Sequence, residues 1–460
     1  MKKIITLFVC TTIFSSIIAQ TSFENRYWFG ILEDASLPLN LHFEKQADSS
    51  IVPMLYSPMQ SQNKLVPSSF KITTDSVFIT IKSINFKAIL KYNNTDSTFA
   101  GYVQQYGSKM PITLKPTDGL LEVKRPQEPM PPFDYIEEEV AIENTTDNTK
   151  LAGTLTYPKN GDKFPVAILI TGSGSQNRDE EIFKHKPFKV IADYMTKNGI
   201  ATLRCDDRGM GKSVGNTDAN TFNLATDIEC MINFLKKHHK VNPTQIGLIG
   251  HSEGGLIAPI VASRNSSVAF IIMLAGPGVD GKETLLLQNR KIYEIGNMPD
   301  SLINKRITIL NEVFDLPKTT DDNNLLTEID KIVKKYTTGK EERSAIGFSP
   351  KSVMVLANTI KLNWMKTFLY LDPCEYLSKT TCPILALNGS KDCQVLPQEN
   401  IDAIKKCTNN RAETMILPNL NHLFQNCETG GANEYMMIEE TFAPTVLDIM
   451  HNWILNTIKK

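Results

Sequence analysis

The chain has 460 residues, 49 Lys+Arg against 50 Asp+Glu, 41% hydrophobic and 22% charged residues. At roughly 150 residues per domain there is room for two or three domains with a sizeable core, and this balance excludes a disordered, collagen-like or polytopic membrane chain. A net charge of −1 offers no electrostatic footprint for nucleic acid or acidic lipid, so no nucleic-acid partner is expected.

Met1-Lys2-Lys3, the apolar stretch Ile4 to Ile18 and then Ala19 have the layout of a secretory signal peptide over residues 1–19. Thr11, Thr12, Ser15 and Ser16 interrupt the stretch short of the about 20 apolar residues that a span needs, so no stable membrane anchor is expected. Cleavage would leave the protein beyond the inner membrane, periplasmic or extracellular. It would also remove Lys2 and Lys3, leaving 47 basic against 50 acidic side chains.

Residues 20–120 alternate apolar and polar side chains in short runs, such as Leu39-Asn40-Leu41-His42-Phe43 and Val77-Phe78-Ile79-Thr80-Ile81, which predicts an antiparallel β-domain. Residues 121–139 carry Pro126, Pro129, Pro131 and Pro132 and end on Glu137-Glu138-Glu139, and this stretch reads as a linker. Beyond it, in 140–460, buried hydrophobic strands alternate with helices: Val166 to Ile170, Ala201 to Cys205, Ile246 to Ile249, Ala269 to Leu274 and Ile384 to Leu387. Unbroken apolar strands between helices predict an α/β fold with a parallel sheet covered on both faces. The interval of about 279–381 has no comparable strand and shows helical patterns, among them Met354 to Phe368, so it is predicted to be a helical lid inserted between two sheet strands. Val446, Leu447, Met450, Trp453 and Ile454 give the last helix an apolar face to lay on the sheet.

Seven cysteines follow Cys10, five of them between 374 and 427, where an oxidising compartment permits one or two bridges. None stands at a zinc-ligand spacing, and no cofactor motif occurs, so no metal or organic cofactor is expected. Gly209-Met210-Gly211-Lys212-Ser213 contains G-K-S, but a phosphate loop needs glycine where Asp206 stands. Asp206-Asp207-Arg208-Gly209 is instead expected to form a strand-end turn whose charges pair locally.

Gly250-His251-Ser252-Glu253-Gly254 follows an apolar strand and precedes an apolar helix, the G-x-S-x-G context that lifts a serine hydroxyl above a sheet edge. Such a hydroxyl needs a base within reach. Of the seven histidines, His251 adjoins the serine in a geometry that cannot reach its hydroxyl, and His185 and His422 remain once the β-domain and helix-borne histidines are set aside. His422 follows the strand-like Thr414 to Leu417 and fits the chain order Ser, Asp, His. Asp392, in the loop after Ile384 to Leu387, is the acid best placed to orient the ring; Asp372 precedes that strand and Asp402 lies in the next helix. Oxyanion donors are expected from the N–H of Glu253 and from the loop Thr171 to Ser175, at Ser173 or alternatively Gly174.

With Thr171-Gly172-Ser173-Gly174-Ser175-Gln176-Asn177-Arg178-Asp179-Glu180, Asp207 to Ser213, Gly250 to Gly255 and Gly389-Ser390-Lys391-Asp392 in view, the chain from about Leu151 to Lys460 resembles secreted bacterial α/β-hydrolases of the serine aminopeptidase-like group. It is most similar to carboxylesterases with an N-terminal β-domain and a helical cap. The resemblance implies an eight-stranded, mostly parallel sheet, Ser252, Asp392 and His422 as a triad, and hydrolysis of short acyl esters. Cys393 departs from the glycine or proline that often follows the Asp-bearing loop in the family. The expected partner is therefore a small-molecule ester, with Tyr293, Phe314, Trp364, Phe368 and Tyr370 of the lid shaping an acyl pocket or simply forming lid core. Two other readings stand beside it: an aminopeptidase or acyl-aminopeptidase acting on small peptides, which an acidic lid cluster would favour, and a catalytically silent protein whose β-domain binds a ligand or glycan.

Overall fold

The computed structural model describes residues 23–32, 37–58, 64–106, 108–122 and 124–459; the expected signal peptide lies outside these residues. The chain divides into two units, Met1–Lys124 and Arg125–Lys460.

In the first unit the period-2 patterning gives eight antiparallel strands: β1 (Tyr27–Leu32), β2 (Leu37–Lys45), β3 (Ile51–Tyr56), β4 (Ser69–Ile72), β5 (Ser76–Ile81), β6 (Phe86–Asn93), β7 (Thr98–Gln105) and β8 (Ser108–Thr117). They run in the order β3-β2-β1-β8-β7-β6-β5-β4. Val77, Ile79 and Ile81 point into a core with Trp28, Phe43 and Phe99, while Phe78 between them is exposed. In β2 the alternation fails, because Asn40 and His42 are buried as well as their apolar neighbours. Asn40 is satisfied by the backbone of Leu121, whose N–H it accepts at 2.9 Å, and His42 stacks on Tyr27 with ring centres 4.1 Å apart.

The second unit holds β9 (Tyr135–Asn144), β10 (Thr149–Pro158), β11 (Phe164–Ile170), β12 (Ala201–Cys205), β13 (Val241–His251), β14 (Val268–Leu274), β15 (Ile384–Gly389) and β16 (Glu413–Leu417). Their order is β16-β15-β14-β13-β11-β12-β10-β9, parallel from β16 through β12, with β10 antiparallel to both β12 and β9. Glu137-Glu138-Glu139, read with the linker, lies instead inside β9, where pairing with Leu155 and its neighbours on β10 extends the strand back to Tyr135. The apolar strands serve two faces at once, as period-2 geometry requires. Val166, Ile168 and Leu248 meet the helices Thr221–Leu235 and Glu253–Arg264, whereas Ala167, Leu169 and Ile249 meet Pro187–Lys197 and the last helix, Pro444–Ile458. The fold is that of an α/β-hydrolase.

Between β14 and β15 the chain forms seven α-helices and one short 3₁₀ helix, beginning with Gly281–Ile295 and ending with Pro373–Leu377. They have their own core, with Leu310, Phe314, Ile329, Val333 and Phe348 buried. The helical pattern from Met354 to Phe368 breaks at Leu362 into Pro350–Lys361 and Asn363–Phe368, since Leu362 adopts φ −58° and ψ 136°. A disulfide between Cys374 and Cys407 ties the end of this insertion to the helix Pro397–Cys407.

Candidate active site

Ser252 sits where β13 turns into the helix Glu253–Arg264, at φ 53° and ψ −119°, a left-handed position that non-glycine residues rarely adopt. The flanking glycines make room for the turn. A Cβ on Gly250 would meet Gly254 O at 1.9 Å, and one on Gly254 would meet Ile170 O at 2.1 Å. The Ser252 N–H donates to Leu274 O at the end of the neighbouring strand.

Asp392 lies in the loop after β15 and is buried. Its Oδ1 accepts the backbone N–H groups of Gln394 at 2.7 Å and Val395 at 2.9 Å, and its Oδ2 receives Nδ1 of His422 at 2.8 Å. A proton held on Nδ1 in this way leaves Nε2 as the basic atom of the ring, the tautomer a serine hydroxyl requires. His185, the other histidine left open by the sequence, is fully buried with Nδ1 on Thr441 Oγ1 at 2.9 Å and Nε2 on Tyr435 O at 2.8 Å. Burial, aided by the Arg125 guanidinium, pushes its pKa down to about 4. Its ring is thus a neutral structural group.

The loop after β11 runs against Ser252: a Cβ on Gly172 would stand 3.2 Å from Ser252 Cβ. The N–H of Gly172 is committed to Glu180 Oε1 at 2.7 Å, whereas Ser173 and Gly174 beyond it are exposed, Gly174 with φ 91°. Glu253 is the first residue of its helix, where backbone N–H groups have no intrahelical acceptor. That position suits an anion.

Sequence reasoning used only the backbone of Glu253 and missed its side chain. The carboxyl is 2% exposed and accepts hydrogen bonds from Thr221 Oγ1 at 2.7 Å and Trp364 Nε1 at 2.8 Å, and burial pushes its pKa upward. No local pattern signals this, because its partners lie on the helix Thr221–Leu235 and in the insertion. The charges of Asp206-Asp207-Arg208 also behave otherwise than expected. Asp206 pairs with Arg178, and Arg208 pairs with Asp227 and Asp147, so these charges pair across elements rather than within the turn. Asp207 accepts from Thr171 Oγ1 at 2.9 Å and Gln176 N at 2.8 Å, and its burial raises its pKa to about 7.

A cavity of about 310 Å³ opens between these groups, lined by Gly174, Asp207, Asp218, Leu224, Glu253, Leu362 and Trp364 among others. Of the insertion aromatics, Trp364 forms its wall and stacks on Phe368, with ring centres 5.1 Å apart. Phe314 belongs to the insertion core, Tyr370 donates its hydroxyl to Phe314 O at 2.7 Å, and Tyr293 packs against the Arg306 guanidinium. Among the described residues, no three His, Cys, Asp or Glu side chains gather as a metal site.

A family model described as serine aminopeptidase, S33, matches residues 185–428. Esterase EstD from Thermotoga maritima is 24% identical over 324 residues, covering 70% of this chain and 69% of the relative. Among solved structures, Est1E from Butyrivibrio proteoclasticus is 18% identical with a TM-score of 0.40, over 70% of this chain and 99% of that one. The Pyrococcus furiosus esterase PF2001 is 14% identical with a TM-score of 0.43, over 74% and 98% of the two chains.

Proposed function

The chain belongs to the serine aminopeptidase S33 family of hydrolases, and from that premise we propose that it is a serine carboxylesterase acting on short-chain carboxylic esters. The Asp392–His422 hydrogen bond of 2.8 Å, with the backbone oxygen of His422 bonded to the ring of His251 next to Ser252, is the observation that supports this reading. In it, Ser252 Oγ attacks the ester carbonyl as His422 Nε2 takes its proton. The oxyanion is met by the N–H groups of Glu253 and of Ser173, the alcohol leaves with the proton from His422, and water then clears the acyl-enzyme.

Preference for an ester over a peptide is supported by the relative named as an esterase and by the cavity itself. Its buried acids, Glu253 and Asp207, are pushed towards their neutral forms, which makes them poor counterions for the ammonium of an aminopeptidase substrate. Asp218 in the same wall is the feature that favours the peptidase alternative. The arrangement of Lys2 and Lys3 before an apolar stretch supports export from the cytoplasm.

The test is a rate comparison of wild type and Ser252→Ala on p-nitrophenyl esters from acetate to octanoate and on aminoacyl p-nitroanilides. The expected result is ester turnover that falls with chain length and is lost in the variant. Dominant anilide turnover would move the assignment to a peptidase, and activity insensitive to the substitution would overturn the triad.

A further inference from the structure

His251, the residue before Ser252, and Glu180, in the loop that leads from β11, are both buried, at 7% and 4% exposure. His251 Nδ1 lies 2.9 Å from Glu180 Oε1, and its Nε2 lies 2.9 Å from the backbone oxygen of His422. A carbonyl oxygen only accepts, and so does an ionised carboxyl; a neutral imidazole has one N–H and could serve one of them. The same Glu180 Oε1 accepts the N–H of Gly172, a bond that favours the ionised carboxylate. The wall on this side is apolar, formed by Phe188, Ile191, Leu274, Leu423 and Phe442 around a space of about 10 Å³.

We propose that Glu180 and His251 form a buried carboxylate–imidazolium pair that positions the reacting groups, tying together the nucleophile turn, the oxyanion loop and the loop that carries His422. This rests on the triad assigned above. Glu180 Oε1 joins the Gly172 N–H to His251 Nδ1, and His251 Nε2 reaches the His422 carbonyl. The Gly172 bond sets the loop whose next residue is the expected oxyanion donor, and the His422 carbonyl bond fixes the backbone of the base. His251 itself is covalently next to Ser252, so its ring position constrains the turn. The groups that face the imidazole are Glu180 and Asp392, both of which favour its charged form, and His422, whose ring centre is 4.8 Å away. Asp207 interacts electrostatically with Glu180. Neither Glu180 nor His251 touches the reacting atoms in this account; both act through Gly172 and His422.

Two measurements test it. In full-length protein labelled with ¹⁵N-histidine and assigned with His251→Asn, both ring nitrogens of His251 are expected to carry protons from about pH 6 to about pH 8. A one-proton tautomer at about pH 7, in which the proton rests on Glu180, overturns the ion pair. In kinetics, Glu180→Gln keeps an acceptor for Gly172 but cannot hold an imidazolium. It is expected to lower kcat by about 10- to 100-fold with KM within about threefold, while Glu180→Asp, which retains the charge, recovers part of the loss. An unchanged kcat in folded Glu180→Gln, or a loss confined to KM, overturns the positioning role. Should that variant fail to fold, the nitrogen measurement on wild type still decides. Activity surviving in Ser252→Ala would remove the triad reading but would leave the His251 protonation result standing, so the two failures are distinguishable.

Discussion

Trp364, in the helical insertion, donates its indole N–H to both oxygens of Glu253 at 2.8 Å, so the residue that follows Ser252 is held by a segment more than 100 positions away in the chain. Replacing Trp364 with Phe removes this donor and leaves a buried carboxyl with Thr221 as its remaining side-chain partner. The expected cost is about 1–3 kcal/mol of stability, measured by urea unfolding, together with a fall in kcat/KM. A variant as stable and as active as wild type would show that the contact is idle.

Asp392→Asn keeps the shape of the side chain but can present its amide N–H to His422 Nδ1 and so favours the wrong tautomer. Turnover of p-nitrophenyl acetate is expected to fall by roughly 10⁴-fold, with the melting profile retained. A loss of less than tenfold would mean that another group orients the ring.

His185 makes the stability depend on pH. Its pKa is about 4 in the folded chain and near 6.5 in the unfolded one, so between these values the unfolded chain binds the extra proton. The contribution is therefore complete above about pH 6.5 and is lost as pH falls towards 4, amounting to about 3 kcal/mol. Unfolding free energies of wild type and His185→Gln across that window should differ in slope, the variant being flatter. Parallel curves would assign the acid sensitivity elsewhere.

The Cys374–Cys407 bridge closes a loop with a sequence separation of 33. On chain-entropy grounds its removal in the Cys374→Ser, Cys407→Ser double variant costs about 4 kcal/mol. The comparison is by chemical denaturation without reductant. Equal midpoints for variant and wild type would mean that the bridge does not constrain the unfolded chain.

Much of the architecture was legible because it is written locally. The run Val166 to Ile170 is apolar from end to end and is buried on both faces; Val446, Leu447, Met450, Trp453 and Ile454 recur at helical spacing and all are buried. Ser252 could be singled out because its turn needs glycine at 250 and 254, and Asp392 and His422 because each follows a strand in the order this fold uses. The β9 boundary was not legible, since Glu137 to Glu139 reads as a charged linker until a partner strand offers backbone bonds.

The sequence by itself determined the strand and helix pattern and the residues worth testing, since periodicity and turn chemistry act over a few positions. Tertiary structure alone decided the rest of the site. Arg208 reaches Asp227 and Asp147 rather than its neighbours, Glu253 is closed over by Trp364, and Glu180 meets His251 across 71 positions. A buried charge must be matched by whatever group the fold brings to it, and that partner is set by the packing of distant elements, which leaves no local mark in the chain.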